Sequence, residues 1–165
     1  MTSQIRADRE AAAALFAEYL AANPFPDAAE TAAELTAVDY FGDSPAMANE
    51  FIALVLDGTK TATASLVADY EREGEPLPAV GDHWVACDGS GHPRAVIRTI
   101  EIRIGPIDSV DDAFAWDEGE DDRTRDSWLA GHRRFWQRTA GETFTDDSDV
   151  LFERFRVVWT TRQTT

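Results

Sequence analysis

Lys60 and Thr63 stand three residues apart in the stretch Gly58-Thr59-Lys60-Thr61-Ala62-Thr63. A turn leaving a helix can bring that amine and that hydroxyl to one side, where with a carboxylate they make the parts of a hydrolytic site. An amide carbonyl needs a nucleophile, a base to deprotonate it and a donor for the developing oxyanion. A threonine hydroxyl is inert at its own pKa and needs an adjacent base. A lysine amine, ordinarily near a pKa of about 10.4, serves as that base only if burial pushes it toward neutrality. The acidic run Asp117-Glu118-Gly119-Glu120-Asp121-Asp122 offers a carboxylate such as Glu118 to orient the ammonium or carry a proton. A helix ending at Gly58 opposes the scheme, because its last carbonyls favour the charged ammonium. Desolvation must win for Lys60 to be a base. Taken alone, a lysine there is most often a surface residue, and an acidic run is most often a solvated loop.

Other polar and aromatic residues could line a cleft around this stretch. Asp43, Ser44 and Ser65 are candidate ligand contacts, and Tyr40 and Trp116 could stack on a base, although aromatic residues are more often core. Arg98 falls on the apolar side of its strand, where an arginine is either paired with a carboxylate or lining a polar cavity. His132 lies on an aromatic helix face and reads as a satisfied core histidine. The single Cys87 cannot form an internal disulfide, no Cys/His set has zinc spacing, and the acidic run lacks a calcium-loop pattern. No metal and no cofactor are expected.

These groups must be carried by elements that the pattern outlines. Residues 3–22 read as a helix capped by Ser3 and ended by Pro24 and Pro26. A second short helix is expected over 27–36. Ser44 caps a helix over 45–57, with Pro45 in its first turn, Met47, Phe51, Leu54 and Val55 on its apolar face, and Gly58 closing it. Strands are expected over 61–66, 83–87, 93–104 and 150–159. In the third, Val96, Ile100, Ile102 and Ile104 alternate with Thr99, Glu101 and Arg103. Helices follow over 109–116 and 124–139, the latter with Trp128, His132, Phe135 and Trp136 on one face. Short strands with helices between them indicate an α+β domain built on a small β-barrel. The pattern changes after Val38, so residues 1–37 read as a helical extension on a domain spanning 38–165.

With 165 residues, 44% of them hydrophobic, the chain is sized for one globular domain. It has no leader-like start, and its most apolar stretch, 51–56, is too short to span a bilayer. A cytoplasmic location with no membrane partner is the expectation. Thirty-one acidic residues against 15 basic ones leave a net charge of −16. Such a surface repels a phosphate backbone but leaves room for a small basic pocket.

The order Phe41-Gly42-Asp43-Ser44-Pro45, Gly58-x-Lys60-x-x-Thr63, Gly81-Asp82, then Asp117-Glu118-Gly119-Glu120-Asp121 with Trp128 and His132 downstream resembles the larger bacterial members of the ASCH domain family. The resemblance runs from about residue 38 to 160. It implies a PUA-like fold with a cleft beside the signature helix, and a nucleoside or RNA-like ligand. One small member of that family is an amidohydrolase acting on N4-acetylcytidine, and another is reported as a ribonuclease. Carried over by position, the amidohydrolase's catalytic set becomes Lys60, Thr63 and Glu118, with Asp117 and Glu120 as alternatives for the carboxylate. Three functions stay open: an amidohydrolase on an N4-acylated cytidine-type amide, an RNA-binding module or ribonuclease, and a non-catalytic sensor of a small ligand. The charge favours a small, neutral ligand. The RNA reading requires the arginines at 94, 98, 103, 133 and 134 to gather on one face.

Overall fold

In the computed structural model, residues 5–24 and 33–161 are described. The element order is α1 (Arg9–Ala22), β1 (Leu35–Asp39), α2 (Pro45–Asp57), β2 (Ala62–Leu66), α3 (Val67–Glu73), β3 (His83–Cys87), β4 (Pro93–Gly105), α4 (Asp112–Glu118), α5 (Arg125–Ala140) and β5 (Val150–Thr160). The five strands form one mixed sheet in the order β1-β3-β4-β5-β2. Strand β1 runs parallel to β3, whereas β3–β4 and β2–β5 are antiparallel. This is an α+β, PUA-like fold with a helical N-terminal segment. No helix among the described residues is long and apolar enough to cross a membrane.

The chain divides into two compact units, one of Met1–Gly58, Val80–Ile100 and Phe155–Thr165, the other of Thr59–Ala79 and Glu101–Arg154. In the first, the period-two alternation of β3 and β4 serves two apolar faces. Val85, Cys87 and Val96 pack on Ala12, Leu15 and Phe16 of α1, while Ala86, Ala95 and Ile97 pack with Ile52 and Val55 of α2. In the second unit, Ala62 and Leu66 of β2, Phe114 of α4, Trp128 and Trp136 of α5 and Phe152 of β5 share one core.

Four of the expected strands are present within a residue or two of their expected bounds, and the differences elsewhere have local causes. Helix α1 starts at Arg9, because Asp8 accepts from the Ala11 N–H at 2.9 Å and caps it there; Ser3 lies outside the described residues. So do residues 27–32 of the expected second helix, but its end, Leu35 and Thr36, belongs to β1, where β-branched residues pair beside β3. Helix α3 follows β2 with no side-chain cap, which is why no start signal marks it. A 3-10 turn occupies Ile107–Ser109, and α4 begins where Asp111 accepts from the Phe114 N–H at 2.7 Å. The buried stripe of α2 is Ala48, Ile52 and Val55, with Met47, Phe51 and Leu54 half-buried at its margin. In β4 the alternation inverts: Thr99 is buried, while Ile100 and Ile104 are exposed. The α1 cluster on that face includes Val96 but not Ile100.

Helix α4 ends at Gly119 in the left-handed region, φ +70°, and a Cβ there would lie 2.7 Å from the Thr59 carbonyl oxygen. Gly119 thus permits the close approach of α4 to the segment that carries Lys60. Gly74 has nearly the same φ, +69°, with nothing within 4 Å of its would-be Cβ. Gly74→Ala should therefore cost only the left-handed backbone penalty, about 1–2 kcal/mol. Gly119→Ala should cost at least about 1 kcal/mol more, through overpacking against Thr59. Urea unfolding of both variants measures the difference, and equal losses would refute the close approach.

Candidate functional site

The last backbone carbonyls of α4 run short of helical partners and take donors from elsewhere. The Thr61 N–H donates to the Asp117 carbonyl at 2.7 Å. Arg123 Nε donates to the Trp116 carbonyl at 2.8 Å, and Lys60 Nζ to the Glu118 carbonyl at 3.4 Å. The lysine therefore does sit at a helix C-terminus, but at that of α4 rather than α2. Its position three residues after α2 sends it into the second unit's interior, where its exposure is 1%.

A buried ammonium needs counter-charge. Lys60 Nζ donates to Glu120 Oε1 at 2.9 Å, and the Glu120 side chain is 20% exposed. Glu118, 1% exposed, turns its carboxylate to α5, where Oε2 is 3.2 Å from His132 Nε2. The other ring nitrogen, His132 Nδ1, is 2.9 Å from the Trp128 carbonyl. The imidazole lies flat on the Trp128 indole, with centroids 3.9 Å apart and planes inclined by 16°.

Burial is the largest single influence on each of these groups, and the neighbours decide the outcome. Burial lowers the Lys60 pKa, but Glu118 and then Glu120 outweigh it and hold the value above 10.5. Lys60 is an ammonium at rest, so desolvation does not win. Burial raises Glu118, yet Lys60 and His132 bring it below its ordinary 4.5. The Trp128 indole adds to that effect, although its N–H makes no well-formed hydrogen bond. Glu120 is raised, by burial first and by Glu118 second, with Lys60 only partly compensating. His132 is lowered by burial and raised by Glu118 and Glu120, ending above 6.5. Glu118, Glu120 and His132 each bring a donor atom within 4.8 Å of the others, a spacing that could hold a metal ion. With Lys60 Nζ against Glu120, the chain itself supplies the positive charge those oxygens call for.

The structure thus joins Lys60 to the Glu118 carbonyl and gives the three candidate carboxylates of the acidic run different neighbours. Asp117 pairs with Arg154 Nε at 3.1 Å, Glu118 faces His132, and Glu120 takes the Lys60 ammonium. Thr63 is half-buried on β2, opposite Glu153; among the described residues no hydrogen bond ties its hydroxyl to Lys60. The Ser65 hydroxyl is 3.0 Å from the Tyr70 hydroxyl. Trp116 is 56% exposed, with the Arg123 guanidinium 3.7 Å above its ring. In the first unit, Ser44 caps α2, Asp43 is exposed, Tyr40 is half-buried, and Arg98 stands opposite His83 in the β3–β4 ladder. His132 is the member that sequence reasoning placed in the core. The usable signal was a polar ring on an aromatic stripe, which must find a polar partner when buried.

The chain matches the sequence profile of the ASCH domain over residues 37–159. A crystal structure of an ASCH domain from Lactobacillus crispatus JV V101 is 28% identical, with a TM-score of 0.81, covering 96% of this chain and 99% of that one. A protein from Enterococcus faecalis V583 is 30% identical, with a TM-score of 0.78, covering 92% and 90% respectively. A Zymomonas mobilis ASCH protein, solved as a point mutant, is 11% identical with a TM-score of 0.50 over 76% of this chain and 70% of that one, a likeness of fold alone. The search of curated proteins found no match.

Removing the ammonium leaves Glu120 without its ion-pair partner and close to the buried charge of Glu118. Lys60→Met is expected to cost about 3–5 kcal/mol in urea unfolding, and Lys60→Met/Glu120→Gln should recover part of that; a loss below about 1 kcal/mol would contradict a buried pair. The pH dependence follows from the signs. Glu118, lowered on folding, stabilises the fold above its ordinary 4.5, and this is lost as pH falls through its folded value. His132, raised on folding, stabilises below its ordinary 6.5, and this is lost as pH rises through its folded value. Glu120, raised on folding, opposes the fold above 4.5. Thermal unfolding from about pH 4 to 9 should show the alkaline decline, and His132→Gln should flatten it.

Proposed function

This chain belongs to the ASCH domain family, and we propose that it is a hydrolase acting on an amide of a small nucleoside-like ligand, of the N4-acylated cytidine type. The observation that carries the reading is the buried Lys60 ammonium held by a carboxylate that itself reaches solvent. Three tasks then divide among the residues. Lys60, charged at rest, is the donor for the developing oxyanion, which is worth most in a site that excludes water. Glu120, whose pKa burial and Glu118 raise, is the base, since a carboxylate tuned upward takes a proton more readily. The nucleophile is the Thr63 hydroxyl or a water that Glu120 deprotonates. Glu118 is the fixed negative charge that keeps Lys60 protonated. The amide carbonyl would displace Glu120 from the ammonium as it enters, freeing the carboxylate for the proton. Trp116, exposed and backed by Arg123, is a stacking surface for the base.

The net charge of −16 supports a single nucleoside over a strand, because each added phosphate contact would need its own cation. A sensor that binds the same ligand without turnover uses the same cluster. It differs only in lacking a competent nucleophile.

A panel of N4-acylated cytidines separates these readings. Turnover is expected to depend weakly on salt, and Lys60→Ala or Glu120→Gln should lower kcat/KM by at least about 100-fold. Binding of the same compounds without turnover would make the protein a sensor. Tight RNA affinity with a steep salt slope and no amide hydrolysis would replace the reading with an RNA-binding one.

A further inference from the structure

The two contacts of the His132 ring constrain its protonation. The Trp128 carbonyl can only accept, so His132 Nδ1, 2.9 Å away, carries a proton and donates it. His132 Nε2 stands 3.2 Å from Glu118 Oε2. The pair makes no well-formed hydrogen bond, but a bare ring nitrogen and a bare carboxylate oxygen would repel at that distance, so one of the two groups carries a proton. Lys60 Nζ donates to the Glu118 backbone carbonyl at 3.4 Å, and at that range the ammonium's field favours the ionised form of the Glu118 carboxylate, so the proton falls to the ring. The flat stack on Trp128 at 3.9 Å favours a charged imidazole over a neutral one.

We propose that His132 is a positioning residue: a doubly protonated imidazolium that spans from the Trp128 carbonyl to Glu118 and locks that carboxylate, ionised, beside Lys60. The charged groups that act on it are Glu118 at the end of α4 and Glu120 on the turn that follows, with Lys60 held on the far side against Glu120; on α5 its neighbours are the rings of Trp128 and Trp136. The network is then two cations and two carboxylates, neutral in sum. Loss of the His132 proton would leave one negative charge in excess. Glu118 would then turn away, or take a proton from the network, and Lys60 would lose its fixed counter-ion. The catalytic consequence rests on the hydrolase reading above; the protonation state does not.

Two measurements separate the two. Nitrogen-15 NMR of the full chain at about pH 7.5, one unit above the ordinary imidazole value, should show both His132 ring nitrogens protonated. In Glu118→Gln the same ring should be neutral with one protonated nitrogen. A wild-type ring that is neutral at this pH overturns the proposal, whatever the protein hydrolyses. On any acylcytidine that the protein turns over, His132→Gln should lower kcat by up to about 100-fold with KM nearly unchanged. It should also remove the alkaline limb of the pH profile. An alkaline limb that survives in His132→Gln overturns the positioning role. If no compound of the panel is hydrolysed, the hydrolase reading fails alone, and the NMR result still decides the state of His132.

Discussion

An ammonium cannot be taken out of water without negative charge at contact distance, and the arrangement of the second unit follows from that constraint on Lys60. Desolvating such an ion carries an effective penalty of several kcal/mol, which only close, well-directed partners offset. Glu120 meets it at 2.9 Å, and the carbonyl of Glu118 adds a second acceptor. Both belong to the end of α4 and the turn after it, so the helix must stop at that point. Gly119 stops it, in a conformation that lets the chain approach Thr59 closely. The turn is then held by Arg123, which donates to the carbonyls of Trp116 and Thr59. Backbone geometry and ion pairing point to the same arrangement here.

Placing two carboxylates around one cation creates a second demand. Glu118 and Glu120 raise each other's cost, and a single lysine cannot satisfy both. His132 supplies the remaining positive character from α5, and the aromatic stripe of that helix holds its ring flat. The consequence is a division of labour between neighbouring carboxylates. One is buried and held below the ordinary range, while the other is partly exposed and held above it. Two like groups driven apart by environment are the usual physical basis of an acid–base pair. The cluster is enclosed and nearly balanced within a chain whose net charge is −16.

Much of the architecture was legible in one dimension because it depends on local chemistry. Ser44 and Pro45 start α2, and Gly58 ends it. The β-branched and apolar runs mark β2, β3, β4 and β5. Lys60 with the acidic run stood out as the groups able to do chemistry. Strand β1 and helix α3 were not legible. The first is short and takes its pairing from β3, and the second has no capping side chain.

What the sequence by itself determined is which residues had to be reconciled: a lysine after a helix, an acidic run on a turn, and a histidine on an aromatic stripe. Only the tertiary structure decided how they are paired. Glu118 and Glu120 are two residues apart and indistinguishable by composition, yet one faces His132 and the other Lys60, because the left-handed turn at Gly119 sends their side chains to different partners. The state of Lys60 was likewise open, since burial lowers its pKa and carboxylates raise it, and the balance depends on distances between residues 58 to 60 positions apart. Electrostatic energy falls with separation in space and with solvent screening, neither of which separation along the chain records.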